Sequence, residues 1–415
     1  MRIDFKTFLT EQEAAPKGKV LKHLRHVEDY VIHGGHEGVQ VADEHLRGLH
    51  DMLLGKNARG MHASTKYDGA PSIVFGQHPQ TGQFFVASKS AFNKDPKINY
   101  TEEDIERNHG HAPGLVEKLK HALRHLPGIM PKSGGVYQGD LMHTEGDAVS
   151  RGGMTSVTPN TLTYSAPSSS PEGRNMEKKL GIVVHTKYKH TANGGRGGLD
   201  SMDAQPLDPK TRAAFRDHPD VNNIDPTIDI NPSNYTPEEQ KAFHNHMEKA
   251  KRIYSSMKPE SMDALAGHGE QLEAHVNAMV RSGGTPSTQG YIDHLTARHV
   301  KDLEKVKTDA SKQKRIQAHA ELMSHISKNR EHFDKAMQLH GHLQNAKNVL
   351  VRVLNKNNKY DHSVAGEGTG SEGTVVYDKG GNASKAGDRN EFNRLNFAKG
   401  AFQKRQVDKA NEQLQ

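Results

Sequence analysis

Lys66 stands in the run Thr65-Lys66-Tyr67-Asp68-Gly69, where a single amine could act as a nucleophile. A lysine attacks poorly while protonated, and its free pKa is about 10.4. Burial or a neighbouring cation can lower that value enough for attack on phosphorus. A short strand ending at Lys66, then a turn at Asp68-Gly69, would project the amine into a cleft, and Gly69 would admit close backbone approach. Two acid-bearing runs could serve the same chemistry. In Gly139-Asp140-Leu141 a carboxylate at a strand end could hold a ribose hydroxyl or a metal-bound water. In Glu372-Gly373-Thr374-Val375-Val376 a second carboxylate precedes a β-branched run and could orient Mg²⁺, a hard cation that takes oxygen ligands. Each run is short. Taken singly, a surface Asp-Gly turn, an ordinary strand-end carboxylate and a Gly-rich turn explain them equally well.

These residues need elements to position them. Helical periodicity runs through Val20, Leu21, Leu24, Val27 and Val31, then through Val39, Val41, Leu46, Leu49, Met52 and Leu53, with Gly55 as a stop. Ser72 to Phe75 and Gln83 to Ala87 are predicted strands joined through His78-Pro79-Gln80-Thr81-Gly82. Residues 101–126 are predicted helical, and strands are expected at 135–141, 161–166 and 180–185. Residues 190–235 are rich in Gly, Asp, Pro and Asn and are expected to be mainly loop. From Thr236 to Asn355 charged, His-bearing helical segments follow one another, broken at Ser282-Gly283-Gly284-Thr285-Pro286. The expected organisation is an N-terminal leader with helices (1–55), a first part of a mixed core (56–235), a helical insertion (236–355), and a second part of that core with a basic tail (356–415).

The composition bounds the partners. The chain has 415 residues, 33% hydrophobic residues and a mean hydropathy of −0.83, so much of it must be solvated helix and loop. No apolar run reaches the length of a membrane helix, and no secretory signal opens the chain. Cysteine is absent, which excludes disulfides and thiolate metal sites. The net charge of +6 suits a polyanionic partner such as nucleic acid, and also many ordinary proteins.

In their order along the chain, these runs resemble the covalent nucleotidyltransferase superfamily: ATP-dependent DNA ligases, RNA ligases and capping guanylyltransferases. Lys66-Tyr67-Asp68-Gly69 matches the family's Lys-x-Asp-Gly nucleophile motif, and Gly139-Asp140-Leu141 looks like its Gly-Glu element with Asp substituted. Leu180 to His185 looks like the base-stacking strand, and Glu372-Gly373-Thr374-Val375-Val376 matches the metal-side motif. The resemblance covers about residues 56–190 and 366–400. It implies an α+β fold, a ligase adenylation-type antiparallel sheet core, here with an inserted helical bundle. It implies that Lys66 forms a lysyl-AMP intermediate from ATP with Mg²⁺. Thr65, Asp68, Gly69, Lys89, Asp140, His185 and Lys399 would contact the nucleotide, Glu372 and Asp140 the metal, and Lys385 the α-phosphate. RNA or DNA ends are the implied acceptors. This chain departs from the pattern in three places. Ala70-Pro71-Ser72 stands where an arginine is common, Lys385 and Lys399 do not form the paired-lysine motif, and the helical block is long. The chain also ends soon after the last motif, without the length of an appended oligonucleotide-binding barrel.

Asp4 to Gln12 resembles the capsid-targeting leaders of T4-like bacteriophage internal head proteins, with Leu9-Thr10-Glu11 at the processing position; a frayed amphipathic helix is the plainer reading. The leader would imply capsid association and packaging in the virion, against an otherwise host-cytoplasmic protein. Two further functions stay open at this point: an internal head or structural protein with an inactive nucleotidyltransferase fold, and an adenylyltransferase acting on protein. The histidine pairs His109/His111, His244/His246 and His340/His342 are expected to be solvated, because zinc needs three or four ligands.

Overall fold

The structure, a computed structural model, describes residues 24–56, 60–190, 199, 202–378 and 382–389. The N-terminal leader, the start of the first expected helix, Lys399 and the basic tail lie outside the described residues. Val27–Asp29 forms a 3-10 turn, followed by Tyr30–His33 (α1) and Gly35–Leu53 (α2). In α2 the buried residues Val39, Ala42, Leu46, Leu49 and Leu53 recur three and four apart, which gives one apolar stripe.

Strands come next: His62–Lys66 (β1), Ser72–Gln77 (β2) and Phe84–Ala87 (β3), the last two paired as the expected hairpin. The predicted helix over 101–126 is two helices, Glu102–His109 (α3) and Pro113–His125 (α4). Thr101 caps the first with a reciprocal Asp104 contact, and Pro113 opens the second. Then follow Val136–Thr144 (β4), Val149–Arg151 (β5), Met154–Val157 (β6), Thr163–Pro167 (β7), Pro171–Met176 (α5) and Leu180–His190 (β8). The expected loop region holds Met202–Pro206 (β9), Pro209–Arg212 (α6) and Val221–Asn223 (β10). The helical block comprises Pro237–Ser255 (α7), Pro259–Asp263 (α8), Gly269–Ser282 (α9), Thr288–Glu304 (α10), Asp309–Lys328 (α11) and Arg330–Asn355 (α12). Gly283 ends α9 in the left-handed conformation, at the break read from the sequence. Asp361–Val364 (β11), Glu367–Thr369 (β12), Gly373–Tyr377 (β13) and Ala383–Ala386 (β14) close the described chain.

The strands build three sheets, so the chain is mixed α+β with mainly antiparallel pairing. One sheet is β1-β13-β14; a second runs β10-β8-β4-β2-β3, with β9 also on β8; a third runs β12-β11-β7-β6-β5. Only β10 with β8 is parallel among these pairs. One face of the second sheet packs on α3 and α4 through Ile73, Phe75, Tyr137, Leu141, Ile182 and Val184. The helical block shares a single core with α1 and α2, and Val376 of β13 and Ala386 of β14 belong to it. The N-terminal helices and the helices after Pro237 therefore form one body, although they are distant in sequence.

Ionic groups are sealed inside that body. Lys347 of α12 and Glu28 are fully buried and paired at 2.7 Å. Arg389 pairs with Asp29, and His340 meets Asp29 at 3.0 Å. Glu28, Asp29 and His340 are the one metal-like cluster among the described residues, but Lys347 and Arg389 already neutralise its carboxylates. Burial works against the ionised acids, yet Lys347 beside Glu28 and Arg389 beside Asp29 hold both below the usual carboxylate range. Of the other paired histidines, His111 and His244 are exposed as expected, while His109 is buried. His246 and His342 face each other at 3.4 Å across α7 and α12, and His244 lies against His50.

Removing one member of a buried ion pair strands its partner. Lys347→Met is expected to cost about 3 kcal/mol in urea unfolding, and Glu28→Gln in the same chain to recover part of that loss. Burial also pushes His50, His143 and His362 down to about 4. Unfolded, each would take up a proton near pH 6.5. Between those values the unfolded chain binds more protons, so stability is full above about pH 6.5 and falls as pH drops toward 4. A urea midpoint that is the same at pH 7.5 and pH 5 would contradict the neutral burial of these rings.

Candidate functional site

The first sheet places the lysine. β1 and β13 pair antiparallel with Lys66 opposite Gly373, Ser64 opposite Val375 and His62 opposite Tyr377. β14 pairs with β13 so that Lys385 faces Val375. Strand side chains alternate between faces. Ala63, Val376 and Ala386 enter the helical core. Lys66, Val375 and Lys385 therefore share the opposite face, and Thr65, opposite Thr374, goes with the core-facing set.

Glu372 sits at the start of β13 and collects both amines. Its Oε2 accepts from Lys66 Nζ at 2.5 Å, and its Oε1 from Lys385 Nζ at 3.2 Å. The Glu372 side chain is 12% exposed and that of Lys66 is 35% exposed, so the carboxylate is covered while the amine stays reachable. Burial lowers the pKa of Lys385; Glu372 opposes this, and the like charge of Lys66 reinforces it. The N-terminal segment fixes the third strand from outside. The Lys385 N–H donates to the Arg25 carbonyl at 2.7 Å, and His26 bridges to Lys385.

Asp140 enters from the second sheet. It lies on β4 opposite Ser72 of β2 and Val183 of β8. Two irregularities bracket it. His185 is an extra residue on β8, between the partners of Gln138 and Gly139, and Met142 is an extra residue on β4, between Leu141 and His143. Such bulges re-aim side chains, and His185 Nε2 lies 3.4 Å from Asp140 Oδ2. Burial disfavours the charged form of Asp140, but His185, the Ser72 hydroxyl and the charge of Lys66 together hold its pKa below the ordinary value. The link between the two sheets is the lysine loop itself, where Gly69 packs against Asp140.

The other sequence-predicted residues divide. Asp68 is spent on structure. Its carboxylate accepts from Asn160 Nδ2 at 2.5 Å and from the backbone N–H of Thr161 and Leu162 at 2.8 and 3.2 Å. Gly69 is the point of close approach: a Cβ there would lie 2.8 Å from both Asp140 Cβ and the Leu141 carbonyl oxygen. Lys89 opens the 3-10 turn after β3 and is exposed, and among the described residues no hydrogen bond or ion pair joins it to Glu372 or Asp140. Lys66, Glu372 and Lys385 meet on the first sheet, and Asp140 and His185 meet on the second; Thr65, Asp68 and Lys89 join neither group.

Sequence reasoning missed several neighbours. His62 and Tyr377 stack with ring centroids 5.2 Å apart on the face that carries Lys66. Ser72 accepts from Gln138 Nε2 at 2.8 Å, and the Tyr188 hydroxyl donates to Gln138 Oε1, so a polar chain runs along the Asp140 face. Arg212 donates to the Val184 carbonyl at 3.0 Å and acts on the Tyr377 phenol. Alternation from Gly373 would have put Tyr377 on the lysine face; Arg212 and Gln138 left no such signal.

The fold and site define a mixed α+β protein in which two lysines share one glutamate on one sheet and an aspartate lies on a second sheet beside the lysine loop. The chain belongs to a family described as "Family of unknown function (DUF6267)", whose profile matches residues 21–400. No curated protein and no solved structure matches it.

The contact at Gly69 generates a test. Its neighbours are backbone and a Cβ, so Gly69→Ala must shift the lysine loop off β4. The expected cost is about 1–3 kcal/mol in denaturant unfolding. An unchanged midpoint would mean that the loop does not sit against Asp140.

Proposed function

We propose that this chain is an ATP-dependent nucleotidyltransferase that forms a lysyl-AMP intermediate on Lys66 and passes AMP to a nucleic-acid 5′-phosphate. One observation carries the reading. Lys66 and Lys385 both contact Glu372, Lys66 across 306 positions of the chain and Lys385 across 13. The motif order read from the sequence is thus matched by convergence of the same side chains. The charge balance supports an anionic substrate: two ammonium groups share one carboxylate, which leaves a net positive charge on that sheet in a half-buried cleft.

The chain's own groups suit the chemistry. Neutral Lys66 would attack the α-phosphorus; the new N–P bond forms as the bond to pyrophosphate breaks. Glu372, already against Nζ, is positioned to take the proton the amine must lose. Lys385 would shift from Glu372 to the α-phosphate and offset its charge. Transfer to a terminal 5′-phosphate breaks the N–P bond and returns the free amine. Glu372, once its lysines turn to phosphate, and Asp140 would offer carboxylate oxygens to Mg²⁺, a cation that prefers them. Bound there, the ion would neutralise charge on the phosphates.

Incubation with α-labelled ATP and Mg²⁺ is expected to leave acid-precipitable label on the protein. Lys66→Ala and Lys66→Arg should both abolish it, since a guanidinium stays protonated. Label retained in Lys66→Arg, or no label from either ATP or GTP, would overturn the proposal.

A further inference from the structure

A cavity of about 420 Å³ lies beside the lysine loop, between α4, the end of β4 and the β5–β7 strands. Its polar lining is Lys118, His143, Asp147, Ser156, Thr158 and Thr163. Lys118 Nζ donates to the Ala70 carbonyl at 3.2 Å, on the loop four residues past the nucleophile. No carboxylate among the described residues pairs with this ammonium, so two of its three protons are free for a ligand.

The other groups are partly spent, and the Ser156 hydroxyl already meets that of Ser165 at 2.8 Å. His143 is 3% exposed and lines the cavity; one ring nitrogen leans toward the Lys178 backbone, but neither forms a hydrogen bond of good geometry. Burial keeps the ring neutral at physiological pH, so it offers one donor and one acceptor. Asp147 uses Oδ2 on the Thr144 N–H and hydroxyl, at 2.7 and 2.9 Å, which leaves Oδ1 as an acceptor. Thr158 and Thr163 share one hydroxyl contact at 2.8 Å.

We infer that this cavity binds a phosphate monoester carried on a sugar. The ammonium and the hydroxyl rim match a phosphate. The lone carboxylate would repel free phosphate but accepts sugar hydroxyls, so the two charges fit one molecule that carries both groups. No Phe or Tyr lines the cavity, and the His143 ring packs against Gly181, so no open ring face is offered to a base. The volume lies near the lower end of the roughly 300–1,000 Å³ typical of small-molecule sites. Asp68 fastens the Asn160–Leu162 turn to the lysine loop, so a ligand lodged between Ala70 and Thr163 touches both sides of that clasp. The use of this cavity as the acceptor subsite rests on the nucleotidyl-transfer reading; the binding itself does not.

Calorimetry on the full chain tests it with three probes: ribose 5-phosphate, a 5′-phosphorylated pentanucleotide, and the same pentanucleotide with a 5′-hydroxyl. At least one phosphorylated probe is expected to bind saturably, with Lys118→Gln at least about tenfold weaker and Lys118→Arg close to wild type. Thr158→Val, a second variant with an intact loop tie, should weaken binding severalfold while Lys66 labelling by ATP stays unchanged. Tighter binding of the phosphorylated pentanucleotide than of ribose 5-phosphate assigns the site to a nucleic-acid end; equal binding assigns it to a free sugar phosphate. No saturable binding of either phosphorylated probe, equal binding of the 5′-hydroxyl control, or binding untouched by both variants would overturn the inference. Failed ATP labelling alongside Lys118-dependent binding would retire the nucleotidyl-transfer reading and leave the cavity assignment standing.

Discussion

The site depends on one long-range pairing, that of β1 with β13. Its register sets Lys66 opposite Gly373, which brings the amine to the Glu372 carboxylate. A slip of one residue would turn Lys66 into the helical core and expose Thr65 instead. Closing so long a loop is less costly than it looks. Loop entropy grows only with the logarithm of length, so joining about 300 residues rather than 30 adds roughly 2 kcal/mol. The core that β13 and β14 enter through Val376 and Ala386 more than offsets this.

That core explains why the helical block interrupts the sheet-forming sequence. Lys347 sits on α12, Glu28 and Asp29 lie just before α1, and Arg389 follows β14. The buried ionic cluster therefore fastens the first helices, the last helix of the block and the strand that carries Lys385. Buried ion pairs give little net stability, but they penalise any arrangement that leaves a charge alone. Here the arrangement they favour is the one that holds Lys385 against Glu372. The block is better read as the back wall of the site than as an appendage.

What could be read from the sequence follows from how local each signal is. The α2 stripe, the β2–β3 hairpin, β4, β8, β13 and the break at Gly283 each announce themselves within about ten residues through periodicity or turn chemistry. The motif order pointed to Lys66, Asp140 and Glu372; Lys66 and Glu372 meet at 2.5 Å, and Asp140 lies on the second sheet against Gly69. Strands of three or four residues, such as β5, β10 and β12, carry too little pattern to stand out from loop. Thr65 and Asp68 were drawn into the site by proximity in sequence, yet alternation turns one away and three hydrogen bonds occupy the other. His185 was named from the resemblance of its strand, but its place against Asp140 follows from a bulge that no single-strand pattern reveals.

Two carboxylates bear on Lys66 through different attachments. Glu372 belongs to the same sheet, so its contact follows from the β1–β13 register alone. Asp140 belongs to another sheet, and its influence depends on how closely Gly69 lets the loop rest on β4. The first acid can therefore hold the amine in any state of the cleft, while the second acts only when the two sheets are seated together. An anion entering between them would compete with Glu372 for both lysines and would be repelled by Asp140. That repulsion makes the seating of Gly69 on β4 part of the charge balance around the amine.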